Sequence, residues 1–379
     1  MLNRRILRAK AVQYLYGLLQ SHNANFELAI ENIRDDFAPD LNSMEPQDRI
    51  QLAKDAQKAI EIFEQSVVHK TPVDPHTENK LKKSVINAQL FLKNAIARDN
   101  KFSATSLVNQ TEEVHNSYVL SLYILVKVLS FIEDTFNKKY NTPDKEFAIK
   151  KLIFRNFEVA GTKLGEETEE KVSDLAFILY RDVFSLNENL ESVYINKLGQ
   201  IDAEKEVVKD LIKIELLKND LYESIMEEED FDWSENKSAV KDLINKTLKN
   251  ISEDSEPSRI LISISANWDD DKQFMQELFL KSVENKEEYT TYINEKLKNW
   301  DLSRIAEIDL AILYVAIAEM INFPSIPVKV SINEYLEIAK VYSTPKSKDF
   351  INGLLDKISV DLVDKEVIKK SGRGLIDNK

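Results

Sequence analysis

The sequence predicts an all-α protein, and two observations carry that expectation. Glycine (7) and proline (9) are scarce among 379 residues of which 31% are charged, a balance that suits long helices and leaves few turns for a β-rich fold. Apolar residues also recur at helical spacing. They are densest over 302–321, where Leu302, Ile305, Ile308, Ile312, Val315, Ala316 and Met320 form one stripe and Leu310, Leu313 and Ile317 fill other faces. So little of that segment can face water that it reads as the central helix of a core. The length suffices for two domains.

In chain order, a first helix is expected over about 3–20. Arg4, Arg5 and Arg8 fall on neighbouring positions of its first turns, while Leu7, Ala11, Val12, Leu15, Leu18 and Leu19 supply apolar contacts. The basic end should overhang the packed body. Arginine forks fit phosphate and stack on bases, which suits single-stranded RNA; an amphipathic helix with snorkelling arginines is the plainer reading. Helices follow over 26–37 and 46–68, then a loop over 70–79 containing Pro72, Pro75 and His76. A helix over 81–98, a polar stretch over 99–110 and a long helix over 112–139 come next. Residues 141–144 punctuate before helices over 145–157, 171–184 and 186–197, with a loop over 162–170 between the first two.

Residues 205–310 contain an apparent duplication. At an offset of 67, Lys205 meets Lys272, Leu211 meets Leu278, Tyr222 meets Tyr289, Trp233 meets Trp300, Ala239 meets Ala306, Asp242 meets Asp309 and Leu243 meets Leu310. Copying of a helical unit would give this pattern, as would chance agreement between helices rich in Lys, Glu, Leu and Ile.

Pro324 and Pro327 should end the central helix. A helix over 328–342 follows, and Thr344-Pro345 reads as an N-cap and first helical position for a last helix striped by Phe350, Ile351, Leu354, Leu355, Ile358 and Leu362. Lys346 and Lys348 lie in its first turn, where the helix dipole disfavours cations by about 0.3–1 kcal/mol each. A phosphate held by these lysines, Ser347 and free backbone N–H groups would offset that cost; a solvated turn is the alternative. Asp309, in the most apolar helix, calls for a partner, either Arg304 or another protein. Gly353, in mid-helix at about 1 kcal/mol relative to alanine, suggests close approach of a helix or a ligand.

Several blocks, in order, now carry a resemblance. Trp300-Asp-Leu-Ser-Arg304, Glu319, Pro327-Val-Lys-Val-Ser-Ile-Asn333-Glu334, Ala339-Lys340 and Lys346-Ser-Lys-Asp-Phe350-Ile-Asn352-Gly353-Leu-Leu-Asp356-Lys357 resemble the C-terminal half of the NusB family of transcription antitermination factors. Arg4-Arg5, Arg8 and Ala11-Val-Gln13-Tyr14-Leu-Tyr16 resemble its arginine-rich first helix. The resemblance implies a pair of three-helix bundles without catalytic activity, working with NusE, a small-subunit ribosomal protein, on boxA RNA, and through other Nus factors on RNA polymerase at ribosomal RNA operons. It implies an RNA face of Arg4, Arg5, Arg8, Lys10, Gln13, Lys346, Ser347, Lys348 and Phe350, and a NusE side including Tyr16 and Asp309. Phe350 is spaced to Leu354 so that core packing fits as well as stacking on a base. Lys346 stands where many relatives carry an acid. The implied domains are 1–22 (first helix, RNA-binding arm), 23–262 (helical insertion of about 240 residues) and 263–379 (the remainder, with a basic tail).

Other functions find no support. The net charge of −14 argues against RNA until its distribution is seen: Arg4, Arg5, Arg8 and Lys10 precede the first acid, and acids cluster at 227–232 and 269–271. Without cysteine there is no disulfide or thiolate site. His22, His69, His76 and His115 show no metal-ligand spacing, and the glycines form no phosphate loop. No acid/base pair stands out, so no cofactor, metal or catalytic residue is expected. No signal peptide opens the chain, and the most apolar run, 119–132, is too short to span a bilayer, so a cytoplasmic location is expected. A helical scaffold that lost RNA binding is the second hypothesis. An RNA methyltransferase with a NusB-like domain lacks the α/β cofactor domain it would need.

Overall fold

The computed structural model describes residues 2–42, 46–142, 144–160, 165–182, 188–212, 218–252, 254–256, 260–297 and 301–376. Its helices are α1 (Arg4–Asp36), α2 (Arg49–Val68), α3 (Asn79–Tyr140), α4 (Ala148–Ala160), α5 (Glu166–Asp182), α6 (Glu188–Asn196), α7 (Ile201–Asp210), α8 (Asp220–Glu229), α9 (Trp233–Asn250), α10 (Trp268–Glu284), α11 (Lys286–Lys296), α12 (Glu307–Asn322), α13 (Val328–Tyr342) and α14 (Pro345–Asp364). The described residues contain no strand, so the fold is all-α as the composition predicts. Among them no helix is long and apolar enough to cross a membrane. Two compact units form, one from Met1–Asn3 with Val108–Asp271 and one from Arg4–Leu107 with Lys272–Lys379. Two of the divisions, at 107/108 and 271/272, fall within α3 and α10, and the third, at 3/4, immediately precedes α1.

In the second unit α1 is one helix of 33 residues, longer than the expected 3–20. The polar stretch after Gln20 continues the helix because its side chains have partners. Asn25 donates to Asp99 at 2.6 Å, His22 meets Asn100 at 3.0 Å and Asn23 donates to Glu307 at 2.6 Å. The same partners explain why α3 runs through the polar 99–110 region, with no glycine or proline between 79 and 140 to stop it. Beyond this seam α1 builds a core with α2 and the start of α3. Ala29, Ile30, Ile33 and Phe37 meet Ala59, Ile60 and Phe63, together with Val85, Ala88 and Leu92. Phe26 lies 5.4 Å from the Phe63 ring, and Asp48 caps α2 by accepting from the Ile50 and Gln51 N–H groups at 3.0 Å.

The first half of α1 packs against α12, the central helix, in which every residue from Ala311 to Met320 is buried. The expected 302–321 helix is split at its start. Asp301 caps a short 3-10 turn, Leu302–Arg304, by accepting from the Ser303 N–H, Ile305 is extended, and α12 begins at Glu307. After Pro324 and Pro327 come α13 and α14, both packed on α12. The tail then returns: Ser371 N–H donates to Pro324 O at 3.0 Å and Lys370 to Phe323 O at 3.0 Å. A Cβ at Gly374 would lie 2.0 Å from Pro324 O, so only glycine fits this crossing.

In the first unit the apolar middle of α3, with Tyr118, Leu122, Ile124, Leu125, Val128, Leu129 and Ile132 buried, is the core helix. Its polar side chains are matched: Ser117 donates to Asp230 at 2.8 Å and Ser121 pairs with Tyr222 at 2.8 Å. The 67-residue offset aligns α7–α8 with α10–α11, and both Tyr222 and Tyr289 are buried. It lapses beyond them. α9 begins at Trp233, whereas Trp300 lies outside the described residues and α12 starts at Glu307, so exposed Asp242 corresponds to buried Asp309.

Phe63→Ala should cost about 3–5 kcal/mol, read as a lower urea midpoint. A second expectation concerns pH. Burial pushes the Lys370 amine from the ordinary 10.5 down to about 8. The unfolded chain therefore binds more protons between those values, and stability should rise from about pH 8 towards 10.5. Unfolding of Lys370→Met across that range should show a flatter rise than the native chain.

Candidate nucleic-acid interface

The site is built on a polar knot inside the second unit. Arg8 of α1, 4% exposed, reaches Glu319 of α12, 0% exposed, through a two-pronged contact: Nε donates to Oε2 at 2.6 Å and Nη2 to Oε1 at 3.0 Å. From α13, Ser331 Oγ donates to Oε1 at 2.7 Å and Tyr335 Oη to Oε2 at 3.0 Å. A buried carboxylate with four donors is fully satisfied, which makes its burial tolerable. Burial disfavours charge on Arg8, yet hydrogen bonds and attraction from Glu319 outweigh it and raise its pKa. Burial, then the Glu319 charge, push the Tyr335 hydroxyl well above its usual value and keep it a donor.

Arg5, one turn before Arg8, reaches outward to α13. Its Nε and Nη2 donate to Glu334 Oε2 and Oε1, each at 2.8 Å, and Arg8 Nη1 lies 3.8 Å from the same carboxylate. The Arg5 hydrogen bonds hold Glu334 below its ordinary pKa. One turn on, Glu337 pairs with Lys340; that bond first, then Lys340, Arg5 and Lys348, lower its pKa. Arg5 of α1, Lys340 of α13 and Lys348 of α14 are thus all close enough to Glu337 to favour its charge, and Glu334 and Glu337 lie one turn apart on α13. Arg4 is exposed and its guanidinium lies 4.8 Å from the Phe274 ring.

At the head of α14, Thr344 caps the helix: its Oγ1 accepts from the Ser347 N–H at 3.2 Å and pairs with Ser347 Oγ at 2.9 Å. The cap therefore engages one amide and the hydroxyl that the sequence suggested for phosphate. Lys346 remains exposed and Lys348 half-buried.

The expected residues separate. Arg4, Arg5, Lys346 and Lys348 reach the surface. Arg8 and Lys10, expected on the RNA face, are buried at 4% and 2% exposure. This corrects the expectation for Arg8, whose fork is taken by Glu319. Gln13 is half-buried and donates to Tyr342 Oη at 3.2 Å. Phe350 is half-buried and lines an open pocket of about 270 Å³ with Lys296, Leu297, Gly353, Leu354 and Lys357. Gly353 is not a packing contact: a Cβ there meets no atom within 4 Å. Tyr16 is 38% exposed, whereas Asp309 is 4% exposed and accepts from Ser343 Oγ, in place of the proposed Arg304. Sequence reasoning did not assign roles to Glu319 and Glu334. Glu319 carried a signal, being the one acid within the buried run from Ala311 to Met320; the argument applied to Asp309 fits it better.

An all-helical body with a cationic surface assembled from helix ends around a buried ion-pair knot is the class this geometry defines. Among the described residues no group of three His, Asp or Glu is placed to hold a metal. The model of the NusB family matches residues 231–360. A transcription antitermination protein NusB from Geotalea daltonii is 39% identical over 123 residues, 32% of this chain and 81% of the relative. Proteins of the same name from Salinibacter ruber and Chloroherpeton thalassium are 43% and 39% identical over 105 and 137 residues, or 28% and 36% of this chain. The chain spans 66% and 61% of the lengths of those two relatives. The chain belongs to the NusB family.

Removing Arg8 alone should leave Glu319 buried without a cation. Arg8→Ala is expected to cost about 3–5 kcal/mol, and adding Glu319→Gln should recover part of the loss, because an amide needs no counter-charge. Urea unfolding of the two variants gives the comparison.

Proposed function

We propose that the chain is a non-enzymatic transcription antitermination adaptor that binds boxA-like single-stranded RNA together with NusE, acting in the cytoplasm through other Nus factors on RNA polymerase at ribosomal RNA operons. The observation that carries this reading is that Arg5, from the start of the chain, is forked onto Glu334 of α13, while Lys348 lies in the first turn of α14, which packs on the same helix. Neither is near the other in sequence, and cations gathered on one face suit a phosphate backbone better than a scattered charge does. Arg4, Arg5, Lys346 and Lys348 are the proposed phosphate contacts. Gln13 supports the face through Tyr342 and Ser347 through the cap, Lys10 is buried, and Phe350, which lines a pocket, is the candidate for stacking on a base.

Arg8 has a different role here: it anchors α1 so that Arg4 and Arg5 are presented. On the NusE side, Tyr16 is accessible, while Asp309 acts through Ser343, which it holds at the end of α13. The second reading, a helical scaffold without RNA binding, is favoured by the net charge of −14 and by the two glutamates within the cationic surface.

Four phosphate contacts to a single strand should give a slope of about −2.8 in log affinity against log salt, at roughly 0.7 per contact. Fluorescence anisotropy with a boxA-like RNA, with and without NusE, measures it. Lys346→Glu with Lys348→Glu should cost at least tenfold in affinity at low salt while the protein stays folded, because both side chains lie outside the core. A flat salt response, or unaltered binding by that double variant, favours the scaffold.

A further inference from the structure

The cationic surface already holds an anion of its own. Arg5 presents Nε and Nη2 as a fork to both oxygens of Glu334 at 2.8 Å, the two-pronged geometry with which arginine takes a phosphate. Phosphate and carboxylate therefore compete for the same two donors. The pair is accessible to exchange, since the Arg5 side chain is 51% exposed and Glu334 20% exposed. Arg8 does not share this freedom: its side chain is 5% exposed and its fork is turned inward to Glu319. Glu337 extends the same effect along α13, where it is paired with Lys340 and lies in the field of Arg5 and Lys348.

We propose that Glu334 is an internal competitor for RNA phosphate, which occupies the Arg5 fork in the free protein and must release it when RNA binds. This rests on the RNA-binding reading above and adds a determinant to it. The carboxylate keeps Arg5 extended along α13 and ready for an anion, and it weakens binding to any RNA that supplies only charge. An RNA with further contacts, at the α14 head or on a base, can displace it. Glu334 thereby lowers the affinity of every RNA that takes the Arg5 fork, so that RNA held by charge alone is bound only weakly.

Glu334→Gln tests this, because the amide keeps an acceptor for Arg5 and removes only the charge. An exposed pair of this kind has a strength equivalent to about two- to fivefold in an equilibrium constant. Glu334→Gln should tighten binding of a fluorescent boxA-like RNA by that factor and tighten an unrelated single strand of equal length at least as much. In an Arg5→Ala background the same substitution should have no effect. Unchanged or weaker binding by Glu334→Gln overturns the proposal, as does a gain that persists without Arg5, which would be general relief of negative charge. If the native chain binds RNA with salt sensitivity and the Lys346→Glu, Lys348→Glu variant loses it, failure of Glu334→Gln removes the competitor alone. If the native chain binds no RNA at any salt, the RNA-binding reading fails and the competitor with it.

Discussion

The Arg8–Glu319 ion pair is the contact on which the rest of the second unit depends. It fixes α1 to α12 at one point and, through Ser331 and Tyr335, fixes α13 to the same carboxylate. A buried ion pair adds little net stability when set against apolar side chains of the same shape, but it is unforgiving of misplacement. Register is its natural contribution. A slip of α1 by one residue would leave Glu319 facing an apolar side chain, and it would also turn Arg4 and Arg5 away from α13. The orientation of the outer arginines is thus set by the inner one.

The long α1 lets one helix serve two cores in the same unit. Its start packs on α12, and its end packs on α2 and the beginning of α3. Between them lies the seam of Ser21, His22, Asn23 and Asn25, bonded to Asp99, Asn100 and Glu307. Polar side chains in mid-helix usually weaken a helix by competing for its backbone. Here they reach across to α3 and α12, so α1 is joined to both by hydrogen bonds and not by apolar packing alone. The family match over 231–360 begins in the first unit and takes in residues 272–360 of the second.

Much of this could be read from the amino acids. Helix after helix follows from apolar spacing and from Pro324, Pro327 and the Thr344-Pro345 cap, because these act locally. Elements whose ends depend on distant partners could not be read in the same way. The polar segments after Gln20 and around Asp99 look like breaks in isolation and are continuous only because each supplies partners for the other. The same division runs through the site. Lys346 is exposed and Lys348 half-buried in the first turn of α14, where the sequence places them. Arg5 and Arg8, one turn apart and alike in sequence, separate into an outer and an inner cation only when α12 and α13 bring up Glu334 and Glu319. Gly353 misled for the opposite reason: a glycine in a helix signals close approach, and here its side faces an open pocket.

The most direct test of the account is photo-cross-linking of a thiouridine-bearing boxA-like RNA to the full chain, followed by mass spectrometric assignment of the linked peptides. Cross-links should fall on the start of α1 and on the α13–α14 segment that carries Lys340, Lys346, Lys348 and Phe350. Cross-links confined to residues 108–271 would contradict it, because they would put RNA recognition in the unit that lacks Arg5, Arg8 and Glu319.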